Sequence, residues 1–199
     1  MRLVLASTNP GKRREIEALL APLGIEVATA RELGFNEDIE ETGQTFAANA
    51  ELKARAVARA LNLPALADDS GLCVEALGGA PGVYSARYAG AGADDAANNA
   101  KLLGEMAGIP PERRDAAFVC VMVCCRPDGR LLTTQGRLEG RIALAPDGAG
   151  GFGYDPVFEL PERGLTVARL STGEKNAVSH RGQALRSMVE RIGEFLREA

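Results

Sequence analysis

With 199 residues, 46% of them apolar and 25% charged, the chain can bury a sizeable core, which excludes a disordered protein. Its formal net charge is −4, whereas proteins that bind the phosphate backbone of nucleic acids usually carry a basic stripe. We therefore expect no nucleic-acid partner. A small anionic substrate is compatible with this charge, because a pocket can be basic on an acidic protein.

The sequence indicates neither a membrane protein nor a protein of an oxidising compartment. No apolar run approaches the roughly 20 residues that span a bilayer, and residues 1–6 are too short an apolar run for a secretory signal. We expect a cytoplasmic protein with no membrane partner. The four cysteines form no matched pair of CxxC motifs, which favours reduced core thiols over a zinc site.

Hydrophobic periodicity predicts alternating strands and helices in the first half of the chain. In chain order these are a strand over 2–6, a helix over 10–23, a strand over 25–29, an acidic loop over 34–43, a helix over 44–61 and a strand over 64–67. The four residues Asp68–Gly71 are predicted to form a turn where the last of these strands ends.

The second half predicts more strands than helices. Its predicted elements are a loop over 78–92, a helix over 94–107, strands over 116–125 and 130–138 joined by a turn, strands over 140–145 and 157–160, and a helix over 178–198. Early βα units followed by a hairpin indicate an α/β fold with a mixed sheet.

Lys53 lies in the middle of an apolar helix face. On the predicted helix it shares that face with Phe46, Ala50, Val57 and Leu61. An ammonium group there is costly unless an anion meets it. The alternative is that this face is hydrated and the lysine stem extends towards water.

The segment that joins the first predicted strand to the first helix has the composition of a phosphate-binding loop. Backbone N–H groups at a helix start, a glycine, hydroxyl groups and a lysine can together bind phosphate. The residues are Ser7, Thr8, Asn9, Pro10, Gly11 and Lys12. Their spacing is not that of a Walker A loop. The alternative is simple helix capping by Asn9.

Two pairs of adjacent carboxylates, Glu40–Glu41 and Asp68–Asp69, are candidates for binding a metal ion. Paired acids suit a hard cation that keeps several waters, and a carboxylate can also deprotonate a water molecule. The alternative for each pair is a solvated turn. The second pair follows an apolar strand, and sites of α/β proteins form at strand carboxyl ends.

Two late segments have the composition of a base-binding site. In the first, Gly150–Pro156, the ring of Phe152 can stack on a base and Asp155 can accept hydrogen bonds. In the second, Lys175 and Arg181 can bind phosphate or an exocyclic oxygen, and His180 can donate a hydrogen bond. The alternatives are a turn with a core phenylalanine and a structural histidine.

Taken together, these segments resemble the inosine triphosphate pyrophosphatase family, whose members are also called XTP/dITP diphosphatases. The resemblance spans almost the whole chain, and its motifs occur in the family's order. The matching segments are Ser7, Asn9 and Lys12; Glu40–Gly43 with Asn49 and Lys53; Ala67–Leu72; Leu77–Arg87; Gly151–Pro156; and Ser179–Gly182. Thr8 stands where some members have glycine.

The resemblance implies both a fold and an activity. The fold is an elongated, two-lobed α/β structure with a long mixed β-sheet flanked by helices and a central nucleotide cleft, formed by residues 1–199 as one domain. Members are typically homodimers. The implied activity is Mg²⁺-dependent hydrolysis of ITP, dITP and XTP to the monophosphate and pyrophosphate, which cleanses the nucleotide pool.

The resemblance also implies roles for individual residues. Lys12 and Lys53 would neutralise the triphosphate; Glu41, with Glu40 as its alternative, and Asp69 would hold Mg²⁺. Asp69 would also act as the general base. The substrate-binding residues would be Ser7, Thr8, Asn9, Pro10, Gly11, Lys12, Ser70, Phe152, Gly153, Tyr154, Asp155, Lys175, His180 and Arg181.

Three other functions remain open at this stage. A pyrophosphatase for modified pyrimidines would share the phosphate loop and the acids, but would lack the combined segments 152–155 and 179–182. A non-catalytic nucleotide sensor would bind without hydrolysis, and the intact Glu41 and Asp69 argue against it. A nucleic-acid-binding protein is disfavoured by the acidic charge balance.

Overall fold

The computed structural model describes residues 1–7 and 10–197, without the side chains of residues 10–12 and 15. The strands of this part of the chain are β1 Arg2–Leu5, β2 Glu26–Thr29, β3 Ala65–Val74, β4 Asp115–Cys125, β5 Leu131–Ile142, β6 Phe158–Leu160 and β7 Leu165–Thr166. The helices are α1 Pro10–Leu20, α2 Phe46–Leu61, α3 Asp95–Glu105, α4 Thr172–Val178 and α5 His180–Phe195.

The strands form a mixed sheet in the order β2-β1-β3-β4-β5-β6-β7. β1 is parallel to both β2 and β3, whereas β6 is antiparallel to β5 and β7. The parallel pairs come from the βα units at the start of the chain, since a parallel connection needs a crossover. The predicted α/β fold with a mixed sheet is therefore confirmed.

The chain divides into two compact units, each with an apolar core. The first unit comprises residues 1–69, 120–136 and 183–199, and the second comprises 70–119 and 137–182. In the first core, Leu3 and Leu5 of β1 pack with apolar residues of α1, α5 and β4. In the second core, the ring centroids of Phe118 and Phe158 lie 4.4 Å apart. That the whole chain forms one domain around a cleft stays a prediction.

The largest difference from the sequence-based expectation is in β3. The residues Asp68–Gly71, predicted to be a turn, remain extended inside this strand. β3 lies between β1 and β4 in the sheet, and its backbone pairing outweighs the turn preference of Asp, Ser and Gly. β1 pairs with β3 only as far as Leu66, so the two aspartates lie beyond the carboxyl end of β1.

Three smaller differences lie in the second half, and one of them is the two-residue strand β7, which the sequence pattern does not predict. The strands predicted over 130–138 and 140–145 are one strand, β5, which ends at Ile142. The short helix α4 is not predicted by periodicity, because its stability comes from a capping box in which Ser171 and Glu174 each bind the other's backbone N–H.

The other compositional predictions concern cysteines and membrane spans. All four cysteines are thiols: Cys120, Cys124 and Cys125 are buried in β4, and Cys73 is partly buried. The burial of the three cysteines in β4 agrees with their predicted place in the core. Within residues 1–7 and 10–197, every helix is too short or too polar to cross a membrane.

Candidate active site

The predicted catalytic residues of the first unit lie close together around Lys53. Its Nζ atom is 2.6 Å from Oε1 of Glu41 and 4.0 Å from Oδ1 of Asp69. The lysine side chain is only 15% exposed, so its charge is largely shielded from water and the two carboxylates compensate it. We call these three residues the acid–lysine cluster.

Asn49 connects the acid–lysine cluster to the backbone before α2. Its Nδ2 donates to Oδ2 of Asp69 at 3.0 Å, and its Oδ1 accepts from the backbone N–H of Gly43 at 2.8 Å. The residue is fully buried. Because both ends of the amide are used, Asn49 fixes the orientation of the Asp69 carboxylate relative to the segment that carries Glu41.

Local sequence explains why this segment approaches α2 so closely. A Cβ atom on Gly43 would lie 2.6 Å from Oδ1 of Asn49, so only glycine fits this approach. Thr45 then caps the helix, its hydroxyl oxygen accepting from the N–H of Ala48 at 3.1 Å. Lys53 follows two turns later, with its side chain towards Glu41 rather than extended to solvent.

A cavity of about 340 Å³ adjoins the acid–lysine cluster in the first unit. Asp68, which is 7% exposed, and Ser7 contribute to its wall together with Glu41 and Lys53. The remaining lining residues are Ala6, Ala30, Arg31, Phe35, Glu37, Asp38, Ile39 and Val57. The acids outnumber the bases, so the cavity favours a ligand that brings cations with it.

The carboxylates of the acid–lysine cluster fit a hard divalent cation. Within the described part of the chain, no three acidic, histidine or cysteine side chains are close enough together to form a metal site alone. Mg²⁺ needs fewer protein ligands than this, since it usually binds one or two carboxylates and completes its coordination shell with water and substrate phosphates. Glu41 and Asp69 approach the same ammonium group, whereas the side chain of Glu40 is exposed.

The second unit presents an exposed aromatic ring on a fixed loop. The side chain of Phe152 is 61% exposed, and Nζ of Lys175 lies 4.2 Å from its ring centroid. The guanidinium carbon of Arg181 is 6.0 Å from the same centroid. An exposed ring with two cations close to it can stack on a base, and the cations can contact the oxygens of that base.

The buried carboxylate of Asp155 binds two residues of this site. Its carboxylate is 5% exposed, pairs with the ammonium group of Lys175 and accepts from the backbone N–H of Phe152 at 2.9 Å. Gly151, at φ +77°, leaves room for it, because a Cβ there would lie 2.0 Å from Oδ2 of Asp155. Asp155 therefore orients Phe152 and Lys175.

Tyr154 belongs to the core of the second unit. It is 5% exposed, and its hydroxyl donates to the carbonyl of Ser85 at 2.8 Å. Burial raises the pKa of this phenol, so it remains a neutral donor. Its side chain supports the loop.

The start of α5 carries the other two predicted base-binding residues. His180 stacks on Phe118 with ring centroids 5.0 Å apart, which fixes the plane of its imidazole. Arg181 donates from Nη2 to Oγ of Ser70 at 3.2 Å. The hydroxyl of Ser179 accepts from the N–H of Gly182 at 3.0 Å and so caps the helix start.

Part of the predicted phosphate loop cannot be placed. Thr8 and Asn9 lie outside the described residues, and only the backbone is described for Pro10, Gly11 and Lys12. The predicted roles of these five residues stay predictions. The backbone of α1 does begin at Pro10, as predicted.

Sequence reasoning about individual sites missed three residues that hold the site. Asn49 was recognised only as part of a family motif, and Asp95 and Asn99, which bind the backbone of Gly153, were not singled out. Their positions four residues apart on one predicted helix were the available signal, but the loop they bind is more than 50 residues away in sequence.

Comparison with known proteins gives a consistent result. The family model described as the Ham1 family matches residues 3–191. The dITP/XTP pyrophosphatase of Ralstonia nicotianae is 56% identical over 199 residues, covering 98% of each chain. The protein of the same name from Yersinia pseudotuberculosis is 53% identical, covering 96% of this chain and 98% of its own. A solved HAM1 protein from Coxiella burnetii superposes with a TM-score of 0.93 at 45% identity, covering 98% of this chain and 99% of its own.

Proposed function

Because this chain belongs to the Ham1 family, we propose that it hydrolyses the non-canonical purine nucleotides dITP, ITP and XTP to the monophosphate and pyrophosphate. The observation that carries the proposal is the acid–lysine cluster, which places one shielded ammonium between two carboxylates beside a cavity. The Mg²⁺ dependence, a homodimeric state and a cytoplasmic location are parts of the proposal.

Glu41 and Asp69 would hold the metal ion, which when bound supplies positive charge to the phosphate oxygens and to the leaving pyrophosphate. Lys53 would add the positive charge of its ammonium group to the same phosphates. A charge already desolvated and oriented before the reaction stabilises developing negative charge more strongly than one exposed to water.

Asp69 would accept the proton of the water that attacks the α-phosphorus. Its Oδ2 is held by Asn49, so the orientation of the carboxylate does not depend on the substrate. A carboxylate held in this way can orient a water molecule and take its proton. The bond between the α-phosphorus and the bridging oxygen then breaks, and pyrophosphate leaves.

The base would stack on Phe152 and be recognised by hydrogen-bond donors of the protein. Hypoxanthine and xanthine carry a 6-oxo acceptor where adenine carries a 6-amino donor, so donors from His180, Arg181 or Lys175 would lack partners with adenine. Each unpaired buried donor costs about 1–3 kcal/mol, and two of them would give on the order of 100-fold discrimination against ATP.

The direct test measures pyrophosphate release from dITP, ITP, XTP, GTP, ATP and dUTP with Mg²⁺. We expect fast release from the first three and slow release from the others; GTP shares the 6-oxo group, so its rejection must involve the 2-amino group of guanine. Asp69→Asn should reduce release by about 10²- to 10⁴-fold, because the amide cannot act as a base. Asp115→Asn, which changes an exposed aspartate at the start of β4, is the matched control and should leave the rate unchanged.

The other outcomes identify the competing functions. Equal rates on all six nucleotides would contradict the base assignment and leave the phosphate chemistry in place. Preferential release from dUTP would indicate a pyrimidine pyrophosphatase. Binding of dITP without release would indicate a sensor.

A further inference from the structure

Phe152 is an exposed residue whose backbone is held on both sides by carboxylates. Its own N–H donates to Oδ2 of Asp155 at 2.9 Å, and the next N–H along the chain, that of Gly153, donates to Oδ2 of Asp95 at 2.6 Å. Fixing the backbone of a ring that remains 61% exposed contributes little to the burial of apolar surface. The arrangement instead determines where the ring stands.

Helix α3 holds the same loop through a second contact. Nδ2 of Asn99 donates to the carbonyl oxygen of Gly153 at 2.9 Å. Asp95 and Asn99 are four residues apart, so they lie on one face of α3. We call these two side chains the α3 clamp, since they bind both the N–H and the carbonyl of Gly153.

Asn99 contributes more to the loop than to the stability of its helix. It is 8% exposed, and its Oδ1 is buried and accepts no hydrogen bond among the described residues. A buried acceptor without a partner destabilises a fold, and an apolar side chain at this position would avoid that cost. The hydrogen bond to Gly153 is the contact that depends on the amide.

We propose that Asp95 and Asn99 are positioning residues for base recognition, which hold Phe152 in the orientation that stacks on the purine. The inference rests on the proposed function, because it assumes that the base binds at Phe152. Without the clamp, the substrate would have to order the loop on binding, at the expense of affinity. With it, the stacking surface is formed before the nucleotide arrives.

Two nearly isosteric substitutions test the clamp with opposite expectations. Asn99→Asp removes the N–H donor and places a carboxylate against the Gly153 carbonyl, so KM for dITP should rise by about threefold to tenfold, with kcat within about twofold of the parent. Asp95→Asn keeps an acceptor oxygen and should stay close to the parent, whereas Asp95→Ala should resemble Asn99→Asp.

The control is Glu105→Gln in the last turn of α3, where the side chain contacts Tyr88 rather than Gly153. Its KM should not change. A merely structural role for the clamp would lower the amount of folded enzyme, and hence kcat, at unchanged KM; that pattern in Asn99→Asp would overturn the proposal.

A second readout does not depend on catalysis. The chain contains three tyrosines but no tryptophan, so Phe152→Trp introduces a single tryptophan. Excited selectively, at wavelengths where tyrosine does not absorb, its fluorescence anisotropy reports motion of the ring. Adding Asn99→Asp should lower this anisotropy in the absence of nucleotide, and adding Glu105→Gln should not. An unchanged anisotropy would overturn the proposal, as would a lowered anisotropy accompanied by an unchanged KM.

The two proposals can fail separately. If the parent protein released no pyrophosphate, the proposed function would fail, and the dissociation constant of deoxyinosine monophosphate, measured by calorimetry, would replace KM. Weaker binding by Asn99→Asp would then still support the clamp, and equal binding would overturn it.

Discussion

At the scale of single residues, the charge on an apolar helix face is explained by contacts within the chain. Lys53 was predicted to need an anion, and it pairs with Glu41 and approaches Asp69. The alternative of a lysine extended into water is therefore wrong, since the side chain is only 15% exposed. Asn49 orients the Asp69 carboxylate, and its own position depends on the absence of a side chain at Gly43.

Gly43→Ala should disturb this arrangement without changing any charged group. The new Cβ would lie 2.6 Å from Oδ1 of Asn49, so the amide must shift and Asp69 loses its fixed orientation. We expect kcat for pyrophosphate release from dITP to fall by about 10- to 100-fold, as for small misplacements of a catalytic group.

The matched control is Gly104→Ala on α3, where an added Cβ meets no atom within 4 Å. It should leave kcat unchanged and stabilise the protein by about 0.5–1 kcal/mol, because alanine is the better helix former. Equal kcat values for the two alanine variants would contradict the role assigned to Gly43.

At the scale of elements, the second unit is held together by a buried arginine. Arg114 is 4% exposed, and its guanidinium donates to four carbonyl oxygens, those of Met106, Ile109, Ile142 and Ala143, at 2.7–3.1 Å. It thereby joins the residues after α3 to the end of β5. Burial lowers the pKa of this guanidinium, although arginine remains charged in proteins.

Arg114→Met should therefore destabilise the protein strongly. The methionine fills a similar volume but leaves several buried carbonyl oxygens without a donor. Each unsatisfied oxygen costs about 1–3 kcal/mol of stability. We expect the free energy of unfolding, measured by urea denaturation, to fall by at least about 3 kcal/mol. Arg113→Met changes the exposed neighbouring arginine and should stay within about 0.5 kcal/mol of the parent; a similar loss in both variants would contradict the assignment.

At the scale of the whole molecule, the thiols make stability depend on pH in the alkaline range. Burial raises the pKa of Cys124 to about 12, whereas its ordinary value is 9.0. Between these values the unfolded chain has lost a proton that the folded chain keeps. The contribution of Cys124 to stability is therefore fully present below pH 9 and is lost as the pH rises towards 12.

Cys124→Ala should flatten this dependence. We expect the free energy of unfolding of the parent to fall more steeply above pH 9 than that of the variant, by at most about 1.4 kcal/mol per pH unit. Urea denaturation between pH 9 and 11 measures the difference between the two slopes. Burial also raises the pKa of Tyr88 to about 12, but this phenol is present in both proteins, so its contribution cancels in the difference. Between pH 6 and 8 the two slopes should agree, and equal slopes above pH 9 would contradict the prediction.

The sequence by itself determined the local features of this protein. Apolar periodicity located six of the seven described strands, all but the two-residue β7, and four of the five α-helices. It could do so because the pattern that buries one face of a helix or strand lies among residues close together in the chain. The same reasoning predicts an anion beside Lys53, with a hydrated helix face as the alternative, and the order of the motifs indicates the family that the comparisons establish. Each individual pattern is formed by residues close together in the chain, and the family resemblance adds only the order in which such patterns follow one another.

Only the tertiary structure decided which distant residues meet. Asp68–Gly71 has the composition of a turn, yet it stays extended inside β3, which has β4 from a distant part of the chain as a neighbour in the sheet. The contacts of Asn49 with Asp69, and of Asp95 and Asn99 with Gly153, join segments 20 and more than 50 residues apart. A hydrogen bond between such segments depends on the path of the whole chain, which no local pattern of residues encodes.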